Sequence, residues 1–114
     1  MGLAASQARF LQLTARKSDL EFKGQQVNQE RTINAHNMEE LVEEMQMLAS
    51  NGLLEDPNNY RVIEAELEQR HSIDRTLELE LRNLDTQQNE VQTEIDAVSK
   101  VIDKNIDMTF KTFA

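Results

Sequence analysis

The chain has 114 residues, no cysteine, one proline, 39% hydrophobic and 4% aromatic residues, and a net charge of −9. Its length indicates a single domain, residues 1–114, and its composition is typical of long helices rather than of a globular core. The absence of cysteine excludes a disulfide framework, and no apolar run is long enough for a membrane span.

A seven-residue repeat runs through the first half of the chain. One series consists of Leu13, Leu20, Val27, Asn34, Leu41 and Leu48. The companion series consists of Leu3, Phe10, Lys17, Gly24, Arg31, Met38 and Met45. Positions at alternating steps of three and four form one stripe on an α-helix, the stripe that coiled-coil helices bury. The pattern predicts a helix over about residues 3–50.

A turn at residues 51–56 separates the two halves. Gly52 suits the left-handed position that follows a helix end. Asp56 is a preferred helix N-cap, and Pro57 suits the first position of the next helix. Such a short connection normally joins antiparallel neighbours.

The second half carries the same repeat on a run without proline or glycine from residue 60 to residue 106. Its apolar members are Tyr60, Ile63, Leu67, Leu77, Leu81, Leu84, Val91, Ile95, Val98 and Ile102. Arg70, Asp74, Gln88 and Asn105 occupy the same register, and polar residues in a seam select one alignment of two helices. We expect a helix over about residues 57–108.

These elements predict an all-α fold, a long antiparallel helical hairpin of the coiled-coil type in which the N- and C-terminal helices pair. From the turn length we expect Leu48 opposite Ile63, Gly24 opposite Gln88, and Phe10 opposite Ile102. The two termini would then meet at one end.

The negative charge is concentrated in the middle of the chain. Residues 32–96 hold four basic and sixteen acidic side chains, whereas residues 1–31 hold five and three. This balance makes nucleic acid an improbable partner, because the middle would repel phosphates. The acidic residues that we single out are Glu39, Glu40, Glu43, Glu44, Glu64 and Glu68. They are either a solvated face, a docking surface for a basic partner, or the outer face of a polymer.

Apolar side chains are concentrated near both termini. The set comprises Leu3, Phe10, Leu13, Ile102, Ile106, Phe110 and Phe113. Terminal segments are usually polar and frayed, so apolar ones indicate burial. They either close the hairpin by packing on each other or form a self-assembly interface with neighbouring copies.

Two segments resemble known bacterial families. The opening Gly2-Leu3-Ala4-Ala5-Ser6-Gln7-Ala8-Arg9 resembles the start of flagellar rod, hook and hook-associated subunits. The turn Asp56-Pro57-Asn58-Asn59 and the stretch Ala97-Val98-Ser99-Lys100-Val101-Ile102-Asp103-Lys104-Asn105-Ile106 resemble the needle subunits of type III secretion systems. The resemblance implies paired terminal helices that stack around an export channel.

One pattern of metal-ligand type is present. Glu68 and His71 are spaced as in the Glu-x-x-His pairs of di-iron helical bundles, and His36 and Glu39 show the reverse order. Such a centre needs carboxylates from four helices, so solvated surface charge is the better interpretation. A two-helix rod also offers no enclosed pocket for catalysis. We therefore expect no enzyme activity, no metal and no cofactor.

These observations favour a structural, self-assembling subunit of a bacterial filament or export-related axial structure. Its partners would be copies of itself and possible secretion-apparatus proteins. The alternative is a soluble coiled-coil adaptor or chaperone of a secretion or flagellar system. The N-terminus lacks the features of a cleaved signal peptide. We therefore expect an extracellular or cell-envelope appendage exported without a cleaved signal, with the cytoplasm as the alternative location.

Overall fold

The computed structural model describes residues 2–113, apart from the side chains of Leu54, Thr112 and Phe113. Helix α1 spans Leu3–Ser50, a 3₁₀ turn spans Leu53–Glu55, and helix α2 spans Pro57–Phe113. None of the described residues lies in a strand. The predicted all-α helical hairpin is therefore confirmed, with α2 continuing past the expected end near residue 108.

The turn is built on the residues that the sequence singled out. Gly52 has φ of 71° and ψ of 8°, the left-handed conformation that glycine adopts without a steric penalty. Its N–H donates to the carbonyl of Ala49 at 3.2 Å, and the N–H of Asn51 donates to Met47 at 3.1 Å. These bonds satisfy carbonyl groups that the end of α1 would otherwise leave without a partner.

Helix α2 begins with a side-chain cap. Oδ1 of Asp56 accepts a 3.0 Å hydrogen bond from the N–H of Asn58, and Pro57 occupies the first helical position. Asn59 adds a bond from its Nδ2 to the carbonyl of Leu53 at 3.1 Å. The cap satisfies one orphan N–H of the first turn and fixes where α2 starts.

The contacts divide the hairpin into two compact units, each built from a piece of both helices. We call residues 25–82 the turn unit, and residues 1–24 with 83–114 the terminal unit. The buried residues of the turn unit are Val27, Asn34, Leu41, Ile63 and Leu77. Those of the terminal unit are Ser6, Leu13, Leu20, Leu84 and Val91. All ten belong to seven-residue series, so a stripe on each helix forms the core of each unit.

The sequence predicted Tyr60 as the first buried residue of the seam on α2, and this prediction is wrong. The side chain of Tyr60 is 49% exposed, and the first buried residue of α2 is Ile63. Tyr60 lies in the first turn of α2, beside the connection. The buried seam therefore starts at Ile63.

The predicted alignment of the two helices is wrong by about one heptad in the turn unit. Nδ2 of Asn34 donates to the carbonyl of Arg70, and Arg31 binds Asp74. The expected alignment would have set Leu81, one heptad later, opposite Arg31. In the terminal unit, Arg9 binds Glu94, whereas the expected alignment set residue 103 opposite Arg9, so the pairing expected for Phe10 and Ile102 is also wrong. The side chain of Gln88 nevertheless reaches Gly24 as expected. A Cβ on Gly24 would lie 3.9 Å from Nε2 of Gln88.

Candidate functional site

The terminal unit holds the apolar residues that the sequence assigned to self-assembly, and the structure divides them into two groups. Leu13 is 2% exposed and belongs to the hairpin core. Leu3, Phe10 and Ile102 are half-buried. Since most of their surface is already covered within the chain, these four side chains leave little surface for a neighbouring molecule.

The end of α2 is different, because its apolar side chains face solvent. Ile106, Met108 and Phe110 are 39%, 58% and 75% exposed. Arg9 of α1 binds Glu94 at 2.9 Å, twelve residues before Ile106. Phe113, the last member of the set, has its side chain outside the described part. The end of α2 is the candidate assembly surface.

A second apolar pair lies on the outer face of α1 in the same unit. Leu11 and Phe22 are both more than half exposed. They are eleven residues apart, which is close to three complete helical turns, so they share one face of the helix. The seven-residue pattern did not identify them, because both lie off the seam.

Sequence reasoning also missed Ser6, the most deeply buried residue of the terminal unit. Its side chain is fully enclosed, and its Oγ has no hydrogen-bond partner among the described residues. Ser6 lies one heptad before Leu13, so extending the repeat by one step would have found it. A side chain this small lets two helices approach closely.

The acidic residues named from the sequence are all exposed, and all of them lie in the turn unit. They are Glu39, Glu40, Glu43, Glu44, Glu64 and Glu68. His36 extends towards two of them, with Nδ1 3.9 Å from Glu39 and Nε2 3.7 Å from Glu40. Their exposure means that water screens these charges, so each pair adds little to stability.

An open groove of about 580 Å³ lies beside part of this acidic surface. Its lining residues are Ala35, Met38, Glu39, Val42, Glu43, Gln46, Leu67 and His71. Glu39 and Glu43 stand on this lining, whereas Glu40 and Glu44 do not. The sequence signal for the groove is Val42, an apolar residue directly after the core residue Leu41. We call this feature the acidic-rimmed groove.

His71 illustrates what the corrected alignment changes. The alignment expected from the turn length places His71 near Leu41, within reach of Glu40 and Glu44, whereas the structure places it in the lining of the acidic-rimmed groove with Glu39 and Glu43. Across the described residues, no three histidine, cysteine, aspartate or glutamate side chains come together as metal ligands would. The structure therefore offers the Glu68 and His71 pair no additional ligands.

A polar layer interrupts the core of the turn unit. Nε of Arg31 donates to Oδ1 of Asp74 at 2.8 Å, and Nη2 lies 3.5 Å from Oδ2. This hydrogen bond and the attraction of opposite charges lower the pKa of Asp74 and raise the pKa of Arg31. Both side chains remain about one-third exposed, so solvent screens the pair. Its main effect is on alignment.

Asn34 forms the second half of this layer. Its side chain is buried, and Nδ2 donates to the carbonyl of Arg70 at 2.9 Å. Oδ1 has no hydrogen-bond partner in the described part of the chain. A buried amide that is only half satisfied costs stability, and in coiled coils such residues select one alignment.

Comparison of the chain with protein-family models, with curated proteins and with solved structures finds no match. Among the described helices, neither contains a stretch apolar enough to cross a lipid bilayer.

Proposed function

We propose that the chain is a structural subunit of a bacterial filament or export-related axial structure, and that it assembles with copies of itself through its terminal unit. The observation that carries this proposal is the exposed apolar end of α2, formed by Ile106, Met108 and Phe110. Exposed apolar surface of this kind is typical of protein–protein interaction sites.

The energetics are compatible with assembly. Full burial of one such side chain contributes about 1.5–3 kcal/mol. Association costs about 4–15 kcal/mol in lost freedom of motion, so several side chains must be buried in each contact. Leu11 and Phe22 on α1 supply further exposed apolar area in the same unit. A neighbouring copy that covers both sets would offset the lower part of that cost.

The charge distribution supports a polymer in which the turn units face outward. The turn unit, residues 25–82, carries thirteen acidic and five basic side chains, eight more acidic than basic. Repulsion between these segments disfavours arrangements that bring turn units together. The resemblance of the two ends to flagellar and needle subunits supports export without a cleaved signal, an appendage location, and contacts with secretion-apparatus proteins.

Sedimentation velocity tests the proposal. The full chain should form large species whose fraction rises with concentration. The triple substitution Ile106→Ser, Met108→Ser and Phe110→Ser should leave it monomeric, because it removes the apolar surface at the end of α2. The matched control is Ile33→Ser, Val62→Ser and Leu79→Ser, three apolar residues of the turn unit that are at least as exposed on average. This control should assemble like the unaltered chain.

The outcome also decides between the two candidate functions. A full chain that stays monomeric at every concentration, with its helical circular dichroism intact, rules out the filament subunit. The coiled-coil adaptor would then take its place, because the acidic-rimmed groove has the apolar lining that binds an amphipathic helix.

A further inference from the structure

The acidic-rimmed groove has the chemistry of a docking site for a basic amphipathic helix. Met38, Val42 and Leu67 give it an apolar lining, and Val42 is 44% exposed. Glu39 and Glu43 supply two carboxylates one helical turn apart. Along α1, the groove runs from residue 35 to residue 46, which is about 17 Å at 1.5 Å per residue.

The chain itself carries a helix face that is complementary to this groove. Near the end of α2, one face consists of Ala97, Val101, Lys104, Met108 and Lys111, all exposed. Steps of four and three place these residues in one line along the helix. The line carries apolar and basic side chains and no acidic one. From Val101 to Lys111 it extends about 15 Å, close to the length of the groove. We call it the lysine stripe.

We infer that the acidic-rimmed groove of one copy binds the lysine stripe of a second copy. In this contact, Val101 and Met108 cover Met38, Val42 and Leu67. Lys104 and Lys111, seven residues apart on the stripe, lie along the rim that bears the carboxylates of Glu39 and Glu43. The inference rests on the proposed self-assembly and adds where the end of α2 binds.

A second copy fits the groove better than an unrelated protein, for two reasons. Val101 and Met108 on the stripe and Val42 in the groove are all exposed, so one contact removes apolar surface from both the stripe and the groove. The chain is also strongly acidic, so copies repel each other unless a basic segment of one faces an acidic segment of the next.

The contact joins two different surfaces, so every copy keeps one groove and one stripe unused until another copy arrives. Repetition of such a head-to-tail contact produces an open chain of subunits when the rotation does not close into a ring. The geometry of the contact therefore agrees with growth of a filament rather than formation of a closed dimer.

Charge reversal on each surface tests the inference. The groove variant is Glu39→Lys with Glu43→Lys, and the stripe variant is Lys104→Glu with Lys111→Glu. Each variant alone should need about tenfold more protein or greater for half-maximal sedimentation, because like charges then face each other. An equimolar mixture should assemble again. In the mixture, the lysines in the groove of the groove variant face the glutamates on the stripe of the stripe variant. The unaltered groove of the stripe variant accepts the unaltered stripe of the groove variant.

Matched controls separate this effect from net charge. Glu40→Lys with Glu44→Lys changes the net charge by the same amount on the same helix, but these residues do not line the groove. Arg61→Glu with Arg75→Glu does the same for the stripe variant on α2. Both controls should sediment like the unaltered chain, and circular dichroism should show that all variants are helical.

Each result has a defined meaning. Rescue by mixing, with inert controls, supports the docking of stripe into groove. Assembly of the groove variant at the normal concentration, or a mixture that fails to assemble, overturns the inference while the proposed filament function stands. If the full chain never assembles, both the inference and the proposed filament function are wrong. If the groove variant assembles normally but no longer binds a different, basic protein, the groove is a docking site for that protein and the inference is wrong.

Discussion

Nε of Arg31 on α1 lies 2.8 Å from Oδ1 of Asp74 on α2, and the pair occupies the seam of the turn unit, between the buried residues Val27 and Asn34 along α1. The hydrogen bond from Arg31 favours the ionised carboxylate and therefore lowers the pKa of Asp74 in the folded chain. Because the pKa of Asp74 differs between the folded and unfolded chain, the free energy of unfolding should depend on pH in the acidic range.

The first prediction concerns pH. The contribution of Asp74 should be complete above its unfolded pKa of about 3.9 and should disappear as the pH falls through its lower folded value. Asp74→Asn should therefore unfold more easily than the unaltered chain at neutral pH, and the difference should shrink below about pH 4. The measurement is urea denaturation at a series of pH values. Asp85→Asn, an exposed aspartate on the same helix, is the control. A difference that stays constant down to pH 2 would contradict the assignment.

The second prediction compares two leucines of α2. Leu84 is 8% exposed and Leu79 is 64% exposed. Leu84→Ala should lower the free energy of unfolding by about 2–5 kcal/mol, because it removes buried methyl groups and leaves a cavity. Leu79→Ala should change it by less than about 0.5 kcal/mol. Thermal and urea denaturation measure both, and equal effects at the two positions would be inconsistent with the seam described here.

The third prediction applies one substitution to two glycines. At Gly24 a Cβ would be in ordinary contact with Nε2 of Gln88 at 3.9 Å, so Gly24→Ala should stabilise the helix by up to about 1 kcal/mol. At Gly52 the positive φ disfavours any L side chain, so Gly52→Ala should destabilise the chain by about 1 kcal/mol. Midpoints of thermal unfolding should move in opposite directions. A shift of the same sign in both variants would refute one of the two conformations.

The fourth prediction concerns the alignment of the helices. Asn34→Leu removes a half-satisfied buried amide, so thermal stability should stay equal or rise, while the selection of one alignment weakens. Spin labels on cysteines at Gln29 and Arg75, both exposed, report the alignment by electron–electron distance measurement. The unaltered core should give one narrow distribution. The variant should broaden it or add a component from a shift of one heptad, about 10 Å along the axis. Two identical narrow distributions would show that Asn34 does not select the alignment.

The sequence alone predicted the helices and the seam because each depends on a local signal. Gly52, Asp56 and Pro57 define the turn by backbone preference, and the spacing of Leu13, Leu20 and Val27 defines the buried stripe of α1. Every one of these signals is contained in a stretch of a few residues, and the structure has each residue in the expected role.

The alignment of the two helices was not predictable from the repeat, because a seven-residue pattern looks the same after a shift of seven. Only the polar members break this equivalence. Had Arg31 been matched with Asp74, and Arg9 with Glu94, the observed pairing would have followed. The acidic-rimmed groove was missed for the same reason. Its lining joins Val42 on one helix to His71 on the other, so it exists only in the correct alignment.

The short turn also orders the events of folding. Once Gly52 and the cap at Asp56 reverse the chain, Leu41 and Ile63 can meet by closing a short loop, which costs little entropy. Asn34 and Arg70 are 36 residues apart in sequence, and Arg9 and Glu94 are 85 apart, so their contacts form cheaply only after the inner ones exist. The contacts between the two helices therefore form first near the turn and then progressively farther from it. Substitutions near the turn should slow folding, and substitutions near Arg9 should mainly speed unfolding.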